Sequence, residues 1–176
     1  MLSFNGRNHK KNTDCIDFGP ISAAKSDRKK TYSRLVNTET YKILDAPSLQ
    51  DDYYFDIINW SASNLLSIGL LNHVYCLNVS SNDSFKMASY DDEALVSSIK
   101  SNEKGDLLSI GTTTGAVDIY DFEKQKCLRN YTVHKNRVGA MAWKDSLIAT
   151  GSREGNIIVS DVRSKKEIEV CIESYG

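Results

Sequence analysis

The sequence predicts an all-β protein, a partial β-propeller of about three four-stranded blades in an open ring, preceded by a disordered basic arm. Three observations predict it. A pentapeptide recurs every forty-odd residues, short apolar stretches alternate with polar turns from residue 55 onward, and no proline follows Pro47. One four-stranded sheet cannot bury both of its faces alone. Repeats of ~40–45 residues, each supplying four short strands, solve that by stacking radially so that each sheet covers the next.

The elements follow in chain order. Residues 1–40 are polar and basic, with Lys10, Lys11, Lys25, Arg28, Lys29, Lys30 and Arg34, and carry no apolar period of strand or helix. Such a segment has too little apolar surface to offset the entropy of ordering. Residues 41–54 form an entry segment, and residues 55–176 hold three blades at about 55–90, 95–133 and 138–172. Leu65-Leu66-Ser67-Ile68-Gly69 is spelled again as Leu107-Leu108-Ser109-Ile110-Gly111 and, more loosely, as Leu147-Ile148-Ala149-Thr150-Gly151. An apolar strand precedes each copy, at 55–60, 95–100 and 138–143, and a β-rich strand follows it, at 73–79, 116–120 and 156–160. The turn glycines Gly115 and Gly155 and the closing aspartates Asp121 and Asp161 keep step, with Asn78 near the corresponding place in the first copy. No helix longer than two turns is expected from residue 55 to 172.

These are WD-type repeats in degenerate form. His134 holds the place of the WD-repeat histidine, with Val133 instead of glycine before it. That histidine bonds a hydroxyl on the second strand, for which Thr150 is the candidate, and an aspartate in the next turn, where this chain has Glu154. The strand-end tryptophan is replaced by Tyr120 and Ser160, while Trp60 and Trp143 hold equivalent positions and are expected to pack between blades.

Composition and motifs exclude much. A formal charge of −1 provides no broad field for nucleic acid or anionic lipid. No apolar run reaches the ~18 residues of a membrane helix. No apolar stretch follows the basic residues of the N-terminus, so a secretory signal is not expected and an intracellular location is. Cys15, Cys76, Cys127 and Cys171 form no paired motif and are expected to be small buried residues, not a metal or disulfide site. No phosphate loop, nucleophile elbow or metal-binding motif occurs, so no cofactor, metal or catalytic residue is expected. Gly111 and Gly115 lie between two strands, where turn geometry explains them. Asp91, Asp92 and Glu93 read as a solvated loop between blades.

One segment is more specific than the repeat. Lys42-Ile43-Leu44-Asp45-Ala46-Pro47-Ser48-Leu49-Gln50-Asp51-Asp52-Tyr53-Tyr54 resembles the K-[VI]-L-D-A-P-x-L-x-D-D-[FY]-Y entry of the Fizzy and Fizzy-related family. The likeness continues through Asn59-Trp60-Ser61, Gly69-Leu70-Leu71-Asn72-His73-Val74-Tyr75, Arg137-Val138-Gly139-Ala140-Met141-Ala142-Trp143, Gly151-Ser152-Arg153 and Asp161-Val162-Arg163. It implies a non-catalytic activator of the anaphase-promoting complex, a ubiquitin ligase of the cell cycle. The partners implied are ligase subunits and degron-bearing substrates, in the nucleus and cytoplasm.

In that family a seven-bladed propeller captures destruction-box and KEN-box degrons, the former in a groove between first and last blades. Asp52, with Asp51 next, is the match for the carboxylate that faces the degron arginine. Asp27, Arg28 and Arg34 stand where a ligase-docking box begins and ends, without its Ile-Pro centre. Only about three of the seven blades are present here, with no Ile-Arg tail. Self-association through the open edges is therefore expected. The other reading is a truncated WD-repeat scaffold that binds another protein without activating a ligase.

Overall fold

The computed structural model describes residues 36–164 and 172–173. The chain divides into two units, Met1–Ile43 and Leu44–Gly176. Residues 36–43 are exposed and carry no strand or helix, and the rest of the basic arm lies outside the described residues.

Every regular element among the described residues is a strand, and the strands form three antiparallel sheets of four. The first contains β1 (Ile58–Trp60), β2 (Leu65–Leu70), β3 (His73–Asn78) and β4 (Ser84–Ser89). The second contains β5 (Val96–Ser101), β6 (Leu107–Thr112), β7 (Ala116–Asp121) and β8 (Lys126–Thr132). The third contains β9 (Val138–Lys144), β10 (Leu147–Ser152), β11 (Asn156–Asp161) and β12 (Ile172–Glu173). Each sheet runs in sequence order, so the chain is a set of meanders. The architecture is a partial, open WD40 β-propeller.

The first strand is shorter than the apolar pattern suggests. It begins at Ile58 and not at Phe55, because the Asp56 backbone bonds to the next blade instead of to β2. Asp56 N–H donates to Ser97 O (3.0 Å) and Ile99 N–H to Asp56 O (2.7 Å). At the next junction the hydroxyls of Ser97 and Ser98 both donate to Val138 O, at 2.7 and 2.8 Å. The starts of the three blades are thus joined by backbone bonds at the first junction and by serine hydroxyls on a backbone carbonyl at the second.

Strand alternation builds two cores, one in each space between sheets. Val74, Cys76 and Met87 of the first blade meet Val96, Ile99, Leu108 and Ile110 of the second. Val117, Ile119 and Tyr131 of the second meet Val138, Met141 and Ile148 of the third. The glycine that ends the repeated pentapeptide explains how closely the blades approach. A Cβ on Gly69 would come within 2.9 Å of Val96, and one on Gly111 within 2.9 Å of Val138, so a side chain there has no room.

Candidate functional site

The face of the first blade that points away from the second is apolar. Alternation puts Leu66, Ile68 and Leu70 of β2 on that face, and their register partners Leu77 and Tyr75 of β3 lie beside them. The entry residues Leu44, Asp45, Ala46 and Pro47 run along it and are held by a turn in which Leu49 N–H donates to Ala46 O (3.3 Å). Together they line an open trough of about 390 Å³. Asp45 sits exposed at its rim.

A second concavity, of about 700 Å³, is lined by Tyr53, Tyr54, Phe55, Asp56, Arg137 and Arg153 with small residues of the third blade. Asp52 reaches toward it. One carboxylate oxygen accepts the Tyr54 N–H (2.8 Å), and the other lies 3.9 Å from the Arg137 guanidinium. That guanidinium stacks over the rings of Tyr54 (5.2 Å) and Phe55 (5.4 Å), and its buried Nε has no hydrogen-bond partner. The Asp52 carboxylate therefore faces an arginine of its own chain. Asp51 is exposed, and Asp27, Arg28 and Arg34 lie outside the described residues.

The repeat residues serve the scaffold. His134 is buried with Nε2 2.9 Å from Thr150 Oγ1 and Nδ1 3.4 Å from Glu154 Oε1, so the glutamate occupies the partner position of the usual turn aspartate. Asp121 and Asp161 close their strands by accepting turn N–H groups, from Glu123 and Lys124 (2.9 Å each) and from Arg163 (2.9 Å). Trp143 donates its indole N–H to Lys100 O (3.2 Å) and Ser109 Oγ (3.1 Å) of the middle blade. Trp60 corrects the expectation of inter-blade packing. It is 60% exposed and donates to Asn64 Oδ1 (2.9 Å) of its own blade, because its face is the open one.

Cys76 is buried, which pushes its thiol pKa up to about 11. Cys127 departs from the expected burial and is exposed on the outer strand β8, while Cys15 and Cys171 lie outside the described side chains. Among the described residues no group of metal-ligating side chains converges, and no helix is long and apolar enough to cross a membrane.

Asp45 and Arg137 stand within sequence motifs that assign neither of them a role. The signal for Asp45 was its place in a segment too apolar for a free arm. Arg137 had none, since the whole first and second blades separate it from Asp52 in the sequence.

The profile of the anaphase-promoting complex subunit 4 WD40 domain matches residues 58–146, half of the chain. Protein FIZZY-RELATED 1 of Arabidopsis thaliana is 38% identical over 155 residues, 88% of this chain and 31% of that protein. The chain belongs to the Fizzy and Fizzy-related family. The APC/C activator protein CDC20 of Saccharomyces cerevisiae is 36% identical over 152 residues, covering 81% of this chain and 25% of its own length. A crystal structure of the mitotic checkpoint complex contains a chain that superposes with a TM-score of 0.76 at 35% identity, over 81% of this chain and 46% of that one. This Fizzy-family chain spans less than a third of the length of these curated relatives.

Proposed function

We propose that this chain is a non-catalytic recognition module of an anaphase-promoting complex activator, capturing degron peptides for cell-cycle ubiquitin-dependent proteolysis in the nucleus and cytoplasm. One observation carries the reading. The exposed carboxylate of Asp45 stands at the rim of an apolar trough built from Leu66, Ile68, Leu70 and Leu77. An extended peptide with an arginine followed by a leucine suits that arrangement: the carboxylate takes the guanidinium in a charge-assisted bond and the trough takes the leucine. Asp52 has a different part in this proposal. Its pairing with Arg137 pins the entry segment against the third blade, so it positions the segment that carries Asp45.

The test is a calorimetric titration of a destruction-box peptide into wild type, Asp45→Ala and Asp52→Ala. Wild-type binding is expected to be weak, because one sheet face supplies one wall of a groove. Loss of the charge-assisted bond in Asp45→Ala removes about 1.5–3 kcal/mol, a tenfold or greater loss. Asp52→Ala is expected to weaken binding less. Unchanged binding by Asp45→Ala with a large loss in Asp52→Ala would return the arginine to Asp52.

A further inference from the structure

Where the first and second blades meet, the turns at one end of their strands enclose a groove of about 710 Å³. Both walls come from blades that pack on each other inside the chain, through a core that includes Val74, Ile99 and Leu108. The turn after β3 and the start of β4 form one wall, and the turns before β6 and after β7 form the other. Both walls are tied down. Asn78 Oδ1 accepts the N–H groups of Ser80 and Ser81 on one side, and Asp121 accepts those of Glu123 and Lys124 on the other. Ser63 Oγ donates to Gly105 O (2.7 Å) across the junction and holds the two blades together beside the groove.

The floor is apolar, with Leu65 and Phe85 half-buried against the core. The rim is acidic. Asp83, Asp106, Asp121 and Glu123 line it against one lysine, Lys124, whose ammonium is already bonded to Asp121 (3.0 Å). The carboxylates of Asp83 and Glu123 are exposed and, among the described residues, enter no hydrogen bond or ion pair. The whole chain carries a formal charge of only −1, so four carboxylates against one ammonium are a local concentration. The next junction shows that the repeat does not impose this charge. Its groove, of about 440 Å³, has Lys104 and Arg163 beside Asp106 and Asp145, so its charges cancel. Arg163 stands two residues after Asp161, just as Glu123 stands two residues after Asp121.

We infer that the groove between the first and second blades binds an extended basic peptide. One apolar side chain of the peptide rests on Leu65 and Phe85, and its flanking arginine or lysine residues meet Asp83 and Glu123. Charge complementarity selects this occupant. The floor accepts any apolar side chain, whereas the unpaired carboxylates repel an acidic segment and take a basic one in charge-assisted bonds. In an extended chain alternate side chains share a face, so basic residues two before and two after the apolar one point with it into the groove. The inference does not rest on the degron reading, because Asp45 and its trough lie on the face of the first blade that points away from the second.

The experiment is two-dimensional NMR of the isotope-labelled 176-residue chain, titrated with the capped peptide Gly-Arg-Gly-Leu-Gly-Arg-Gly. A second peptide carries glutamate in place of both arginines. Wild type is expected to bind the basic peptide, with shifts at the amides of residues 78–85 and 105–125, and not the acidic one. The double variant Asp83→Lys/Glu123→Lys is expected to lose about tenfold or more in affinity for the basic peptide, and to gain binding of the acidic one at the same amides. Asp83→Asn/Glu123→Gln keeps the shape of both side chains and is expected to bind neither peptide well. Asp91→Lys/Glu93→Lys changes the net charge by the same amount in the loop after β4. The six residues of β4 separate that loop from the groove, roughly 20 Å of extended chain, so this variant is expected to bind as wild type does. Absence of binding by wild type, or shifts at residues 44–47 in place of the groove, would overturn the inference. Equal losses in the groove and loop variants, or a charge-reversed groove that ignores the acidic peptide, would also overturn it.

Discussion

Trp60 and Trp143 occupy the same register position in the first and third blades and have different surroundings. Trp143 is covered by the middle blade and bonded to it through Lys100 and Ser109. Trp60 lies on an open face and bonds only within its own sheet. The residues two positions earlier on the same strands repeat the contrast: Ile58 is 49% exposed, while Met141 is 8% and Ile99, their equivalent in the middle blade, is 0%. A repeat motif therefore specifies which face a side chain takes. Burial is specified by the neighbouring repeat, as expected when each unit contacts only the next one.

The sharpest way to break this comparison is at the pentapeptide glycines. Gly111→Ala drives a methyl group into Val138 and is expected to destabilise by about 3 kcal/mol, the upper part of the range for overpacking. Gly151→Ala has room and is expected to stabilise by about 0.4–1 kcal/mol through the unfolded chain. Urea unfolding of dilute protein checks both. Equal effects would show that the third blade is covered even in the dilute chain.

The tryptophans come next. Trp143→Ala removes packing and two hydrogen bonds at a blade junction and is expected to cost about 3 kcal/mol. Trp60→Ala in dilute protein is expected to stay within about 0.5 kcal/mol of wild type, as for an exposed site. Thermal unfolding followed by circular dichroism reads the difference. A large loss from Trp60→Ala at every dilution would mean that its face is covered within a single chain.

The smallest effect separates the first blade from the third by pH. Asp161 is held down to about 2, first by the side-chain bonds of the Arg163 guanidinium (2.8 and 3.1 Å) and then by the Arg163 backbone N–H. A depressed carboxylate stabilises the fold above its ordinary pKa near 4, and that contribution is lost as pH falls from there through about 2. Asn78, at the matching place in the first blade, accepts the turn N–H groups of Ser80 (2.9 Å) and Ser81 (3.1 Å) without titrating. Asp161→Asn is therefore expected to flatten the acid limb of stability between pH 4 and 2, measured by urea midpoints across that range. An unchanged acid limb would place the sensitivity in other carboxylates.

What the sequence determined by itself is local and periodic. Pentapeptides in step, turn glycines and alternating apolar residues set strand number, strand order and the face each side chain takes, because these depend on backbone chirality and on a period of two. His134 could be paired with Thr150 through the resemblance to WD repeats, whose histidine bonds a hydroxyl on the second strand. Tertiary structure decided what spacing does not encode. The approach of blades drew Asp56 out of the first strand and onto β5, turned Arg137 toward Asp52 and left Asp45 at the rim of the trough. It also left Trp60 open while covering Trp143. Each of these depends on which sheet lies across from a residue, and that follows from packing between repeats and not from the pattern within one.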